Sequence, residues 1–257
     1  MESVLECEWA LALLEWQAEL GADEAILDAP VDRYGEGAKA PAVLAAPAVL
    51  PATAADADPV AEAQALAAAA PDLDALRAAM AGFPHCALRE GARTLVFADG
   101  LPGARVLVLG EAPGREEDLV GRPFVGAAGQ MLDRMLAAIG LDRAAPDPAN
   151  AVYITNVLPW RPPQNRDPSP AEISMMRPFV MRHIALAAPQ ILVLMGNHAC
   201  DAVLGRRGIL RLRGQWAEGL GLPALPMTHP SYLLRTPAAK REAWADLLSL
   251  RARLDGR

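Results

Sequence analysis

Three side chains of different chemistry stand at or near the ends of separate apolar runs. Glu111 follows "RVLVLG", Asn156 lies in "VYITNVLP" and His229 in "ALPMTHP". A carboxylate, an amide and an imidazole in such places form the most informative feature of the chain, although each alone says little. The stretch "GEAPGREED" reads as a glycine-containing turn of the kind that cradles phosphate with backbone N–H groups and a cation. It offers Glu111, Glu116, Glu117 and Asp118 instead. No GxxxxGK[ST] loop occurs in the chain, which weakens the reading of a nucleotide-processing enzyme with carboxylate-bound magnesium.

The elements that must position these residues follow from the apolar pattern. Strand-like runs cover 105–110, 152–159, 191–196 and 224–230, and helical patterns cover 126–139, 170–187, 197–204 and 238–254. "DPSPAE" supplies a helix start, with Ser169 as N-cap, Pro170 at the first position and Glu172 three residues on. Apolar strands alternating with helices imply a parallel sheet covered on both faces. Ligands bind such sheets beyond the C-terminal strand ends. The basic stretch "RRGILRLRG", 206–214, alternates and reads as an edge hairpin or a solvated one.

The chain has 257 residues and is 53% hydrophobic, enough for a sizeable core. Charges interrupt every long apolar run, which argues against a membrane span. The first residues are acidic (Glu2, Glu6, Glu8), unlike a secretion signal. Cys7, Cys86 and Cys200 lie far apart, as suits a reducing, cytoplasmic setting. The net charge of −7 divides unevenly: residues 1–75 hold 15 acids and 2 bases, residues 76–257 hold 16 acids and 22 bases. Arginine supplies 21 of those 22 bases and suits phosphate geometry. The expected organisation is an acidic N-terminal segment (1–37) with an amphipathic helix over 4–21, an Ala/Pro-rich linker (38–71) and an α/β domain (72–257).

The text "GEAPGREEDLVGRPFVGAAGQMLDRML", "VYITNVLPWRPPQNRDPSPAEI" and "THPSYLLR" resembles the uracil-DNA glycosylases, specifically the family-4 type of bacteria and archaea. The resemblance runs in consistent order from about Leu88 to Arg253. It implies a three-layer α/β/α domain around a central four-stranded, mainly parallel sheet. It also implies a monomer that excises uracil from DNA by hydrolysing the N-glycosidic bond of a flipped-out nucleotide. In that reading Phe124 stacks on the base, Asn156 donates to uracil O4 and accepts from N3–H, and His229 donates to O2 as negative charge builds there. Carboxylates suit the cationic sugar that forms as the base departs. Glu111 becomes the polar group nearest water or base, while Ala112 replaces the water-positioning aspartate of family-1 relatives. Glu117 fills the space beside uracil C5, and Glu116 and Asp118 read as a solvated helix start. "HPSYLLR" is expected to be a loop entering the duplex, with Leu233 or Leu234 as wedge and Ser231, Arg235 and Arg166 at the DNA backbone. Of the other histidines, His85 and His183 are assigned to structure. His198, at a helix start after a strand end, ranks well below His229.

The family pattern fails at its iron–sulfur cluster. Most family-4 enzymes hold it with four cysteines. Here Phe83, Trp160 and Met176 occupy three of those positions and only Cys86 remains. No cofactor and no metal is expected, and the three bulky residues should plug the vacated volume near Cys86. The chain also lacks the histidine-bearing insert of the covalently trapping relatives. The competing reading is a catalytically weakened DNA- or partner-binding protein on the same fold, against which the joint presence of Phe124, Asn156 and His229 argues.

Overall fold

In the computed structural model, the described residues are 58–256. The expected helix over 4–21 lies outside them. Three strands are buried along their whole length: β2 (Val106–Gly110), β3 (Val152–Asn156) and β4 (Ile191–Met195). They are mostly apolar because helices cover both faces of the sheet, and the buried Thr155 hydroxyl of β3 donates to the Phe97 carbonyl. With β6 (Leu222–Met227) they form a parallel core in the order β3-β2-β4-β6.

Two further strands make the sheet six-stranded rather than four-stranded. β1 (Ala98–Gly100) pairs antiparallel with β3, and β5 (Ala217–Gly219) antiparallel with β6. Each has three residues, too few to show a period of two, and each carries an acid and a glycine.

Side chains alternate between two cores. Leu107, Leu109, Leu192 and Leu194 face one, and Val106, Val108, Val193 and Leu225 face the other. The first is covered by α1 (Pro59–Ala69), α2 (Leu73–Gly82), the single turn α3 (Leu88–Gly91), α6 (Pro170–Ala187) and α7 (Asn197–Leu204). Over the second lie α5 (Ala127–Ala137), α9 (Pro230–Arg235) and α10 (Lys240–Leu254). The three layers agree with the expected fold class, and α6 begins at the expected capping box of Ser169 and Glu172. Among the described residues no helix is long and apolar enough to cross a membrane.

Two readings need correction. Residues 59–69, placed in the Ala/Pro linker, form α1. Its proline sits in the first turn, Asp58 caps it by accepting from Val60 N, and buried Ala63 and Ala67 face the core. Arg182 of α6 fastens its end through two hydrogen bonds to the Ala70 carbonyl. Residues 206–214 form no hairpin. Gly208 (φ 104°) opens the turn α8 (Ile209–Leu212), which buries Leu212. Asn197 Oδ1 accepts from Gly208 N and Ile209 N and holds that turn on α7.

His183 lies in the first core, ring-stacked on Phe97 at 4.3 Å with Nε2 2.9 Å from the Tyr153 hydroxyl. Burial pushes its pKa down to about 3 from 6.5. The unfolded chain takes up this proton first. The neutral ring's contribution is therefore complete above about pH 6.5 and is lost as pH falls toward about 3. In urea titrations across that window the native protein should lose stability more steeply than His183→Gln, by about 1.4 kcal/mol per pH unit. Equal slopes would show that His183 takes no part.

Candidate active site

The β2 and β3 chains leave the sheet side by side. Gly110 is in register with Asn156, Val157 N donates to Gly110 O at 3.0 Å, and Leu158 N donates to Glu111 O at 2.9 Å. Position 110 tolerates no side chain, because a Cβ there would strike Asn156 Oδ1 and come within 2.6 Å of the Phe124 ring. Amide and ring thus converge on the space left by a missing methyl group.

Phe124 is buried and has φ 54°, a left-handed conformation that costs a bulky residue on the order of 1–2 kcal/mol. Several contacts offset this. Arg143, itself nearly buried, donates to the carbonyls of Pro123 and Phe124 at 2.9 Å each and pairs with Asp99 and Asp133. Gly129, in the first turn of α5, must be glycine, since a Cβ would overlap the Phe124 carbonyl. Glu117, in the helix α4 (Arg115–Val120), accepts from Val125 N and Gly126 N at 2.9 Å and from Gly114 N at 3.1 Å. Its carboxylate is thereby engaged with three backbone donors that bind the two loops together.

Asp118 is buried, which corrects its reading as a solvated acid. Its Oδ1 accepts from the backbone N–H groups of Arg93 and Thr94. Sequence position at a helix start suggested solvent, but the segment before β1 folds over that end of α4.

His229 stands at the N-cap of α9, its ring 5.4 Å from that of Phe124 at an interplanar angle of 29°. Its Nδ1 accepts from Ser231 N at 3.2 Å, which leaves the proton on Nε2 in the neutral ring. Burial lowers its pKa most, Arg235 lowers it further, and the charges of Glu111 and Glu117 partly oppose them. A neutral imidazole with a fixed N–H donor results. Asn156 Oδ1, also buried, has no hydrogen-bond partner among the described residues. Such an acceptor costs about 1–3 kcal/mol until a donor reaches it.

These groups line one cleft of ≈ 460 Å³ beyond the strand ends, together with Ala112, Glu117 and Arg166. Ser231 and Arg235 line it too. The expected loop over "HPSYLLR" is instead the short helix α9. It turns Leu233 fully into the second core, so Leu233 cannot serve as a wedge, whereas Leu234 is 41% exposed. Arg166 contacts both oxygens of Glu172 at 2.9 and 2.6 Å and so reaches the cleft as half of an ion pair. This pairing, above all, holds the Glu172 carboxyl down to about 2.

His198, on the first turn of α7, is buried, and its Nδ1 lies 2.6 Å from Glu111 Oε2. The signal available was its position just past the end of β4, the remaining parallel strand. Each of the four parallel strands therefore supplies a polar group near its C-terminal end.

The positions aligned with the cluster cysteines do not fit a four-thiolate cluster. Phe83, Cys86, Trp160 and Met176 are all buried in the first core, where the Phe83 ring meets Phe179 edge-on at 5.3 Å. Burial pushes the Cys86 thiol up, toward its neutral form. Among the described residues no group of three or more His, Cys, Asp or Glu side chains is placed to hold a metal ion.

Comparison with known proteins bears on the same region. The family model for the uracil DNA glycosylase superfamily matches residues 97–248. A type-4 uracil-DNA glycosylase of Archaeoglobus fulgidus is 37% identical over 170 residues, covering 63% of this chain and 82% of the relative. Those of Sulfurisphaera tokodaii and Thermotoga maritima are 35% and 37% identical, with 65% and 58% of this chain and 77% of each relative covered. With its three layers, its strand-end cleft and these matches, the chain belongs to the uracil-DNA glycosylase superfamily and, within it, to the type-4 group.

Proposed function

We propose that this protein is a DNA-repair hydrolase that removes uracil from DNA, taking the flipped-out nucleotide into the cleft between Phe124, Asn156 and His229. The observation that carries this reading is the buried, unpartnered Asn156 Oδ1 beside an aromatic ring and a fixed imidazole N–H. Uracil supplies the missing donor at N3–H, next to an acceptor at O4 for the amide NH₂. Cytosine has its donor and acceptor reversed at these atoms, so an amide held in one orientation selects against it. Phe124 offers a face to the base, a contribution of about 1–3 kcal/mol toward the cost of extrusion.

As the C1′–N1 bond breaks, its electron pair moves into the base and negative charge gathers on O2. The N–H at Nε2 of His229 is placed to stabilise that charge, and stabilises the transition state more than the ground state. A neutral ring does this without needing a second proton, in accord with its lowered pKa. The sugar left behind is cationic. Glu111 stabilises it and orients the water whose oxygen bonds to C1′, its proton passing to solvent as the uracil anion is protonated. The products are free uracil and an abasic deoxyribose. Glu117 acts mainly by bracing the loops, with its carboxylate at the wall where uracil C5 would lie. Leu234 enters the duplex, and Ser231, Arg235 and the free edge of Arg166 meet phosphates. All these groups come from one chain, which supports action as a monomer. The free, buried Cys86 and Cys200 suit the cytoplasm. Phe83, Trp160 and Met176 fill the cluster volume, and the enzyme works without iron.

Incubation of uracil-containing oligonucleotide in EDTA followed by alkali should give strand scission at uracil. His229→Ala should lower the excision rate roughly 100- to 1,000-fold. Asn156→Ala should lose on the order of 10- to 100-fold. Intact DNA with the native protein would end the proposal. Leu234→Ala should impair excision from duplex more than from single strands, while Leu233→Ala should cost about 2–5 kcal/mol of stability instead. Purified protein should contain far less than stoichiometric iron by elemental analysis, and a full complement of iron would overturn the plugged-cluster reading.

A further inference from the structure

We infer that His198 is the positioning residue for Glu111, an inference that rests on reading the cleft as a uracil-excising site. The main chain at Glu111 is already fixed, because its carbonyl accepts from Leu158 N at 2.9 Å as the β2–β3 pairing runs on into the loop. Its side chain is not fixed by that bond, since a glutamate keeps three rotatable torsions and this one is a third exposed. The contact that selects one of its positions is the 2.6 Å hydrogen bond from His198 Nδ1 to Oε2.

An ionised carboxylate only accepts, so Nδ1 carries the proton and donates. The donor is rigidly mounted. His198 is 7% exposed and sits on the first turn of α7, just after Gly196, whose φ of 93° lets the chain turn sharply from β4 into the helix. Gly196 N is held in turn by the Met227 carbonyl of β6 at 3.0 Å, two residues before His229. The chain segments that carry His198 and His229 are therefore tied to each other. With Oε2 occupied by the imidazole, Oε1 is the oxygen left for water and for the cationic sugar. His198 does not line the cleft itself. It acts through Glu111, in the manner of a group that orients a catalytic carboxylate or base from behind.

The test is single-turnover excision with enzyme in excess, alongside melting curves for every variant. His198→Ala should reduce the rate constant roughly 10- to 100-fold, with the DNA concentration for half-maximal rate unchanged, because only the geometry of a catalytic group is lost. His198→Asn places an amide NH₂ where Nδ1 stood and should recover most of that loss. His198→Gln, whose amide reaches toward the Nε2 position, should not. In a Glu111→Ala background, His198→Ala should have no further effect on the residual rate. The inference is overturned if His198→Ala matches the native rate, if Asn and Gln behave alike, or if the Ala change costs as much without Glu111 as with it. A native protein that leaves uracil in place would instead overturn the functional reading beneath it.

Discussion

Asn156 and Phe124 can meet only because nothing projects from position 110, and the rest of the cleft is arranged around that meeting. Parallel pairing puts Gly110 beside Asn156 at the last register position of β2 and β3, so the amide extends over a bare backbone. The Phe124 ring closes the same space from the opposite loop. A Cβ there would have to displace both the Asn156 amide and the Phe124 ring. The site is thus built on close backbone approach, which glycine alone permits.

That approach places a cost on the loop bearing Phe124, and three different devices offset it. Arg143 satisfies two consecutive carbonyls that point away from any secondary structure, Glu117 gathers three backbone N–H groups, and Gly129 lets α5 start against the Phe124 carbonyl. Backbone groups buried in a loop must be paired, and here charged side chains pair them from both sides. Two of the three acids in "GREED" are consequently structural. Glu117 and Asp118 hold main chain, whereas Glu111 lines the cleft and pairs with His198.

Phe83, Trp160 and Met176 pack into the first core and do not line the cleft. Phe83 and Met176 are wholly buried and Trp160 nearly so, in a core shared with α1, α2 and α6. Such a core is held by many weak contacts, each on the order of 0.1–0.2 kcal/mol. The Arg166–Glu172 pair ties the segment after β3 to the capped start of α6, beside Cys86. The cleft stands at the strand ends, and none of Phe83, Cys86, Trp160 and Met176 lines it.

Much of this protein could be read from local pattern. Largely apolar runs marked β2, β3 and β4, because strands buried on both faces have no solvated side. Ser169, Pro170 and Glu172 marked the start of α6, because capping is a contact within one turn. Glu111, Asn156 and His229 stood out because each follows its own strand. What local pattern could not decide depended on contacts between distant segments. Whether Leu233 or Leu234 faces outward turned on the rotation of a short helix against the second core. Whether Asp118 is wet turned on a segment 25 residues earlier folding over it. The alanine-rich residues 59–69 became a helix by packing against α6. The pairing of His198 with Glu111 joins residues 87 apart. A chain announces its period and its caps within a few neighbours, but which side chains share one space is set only when the sheet brings their strand ends together.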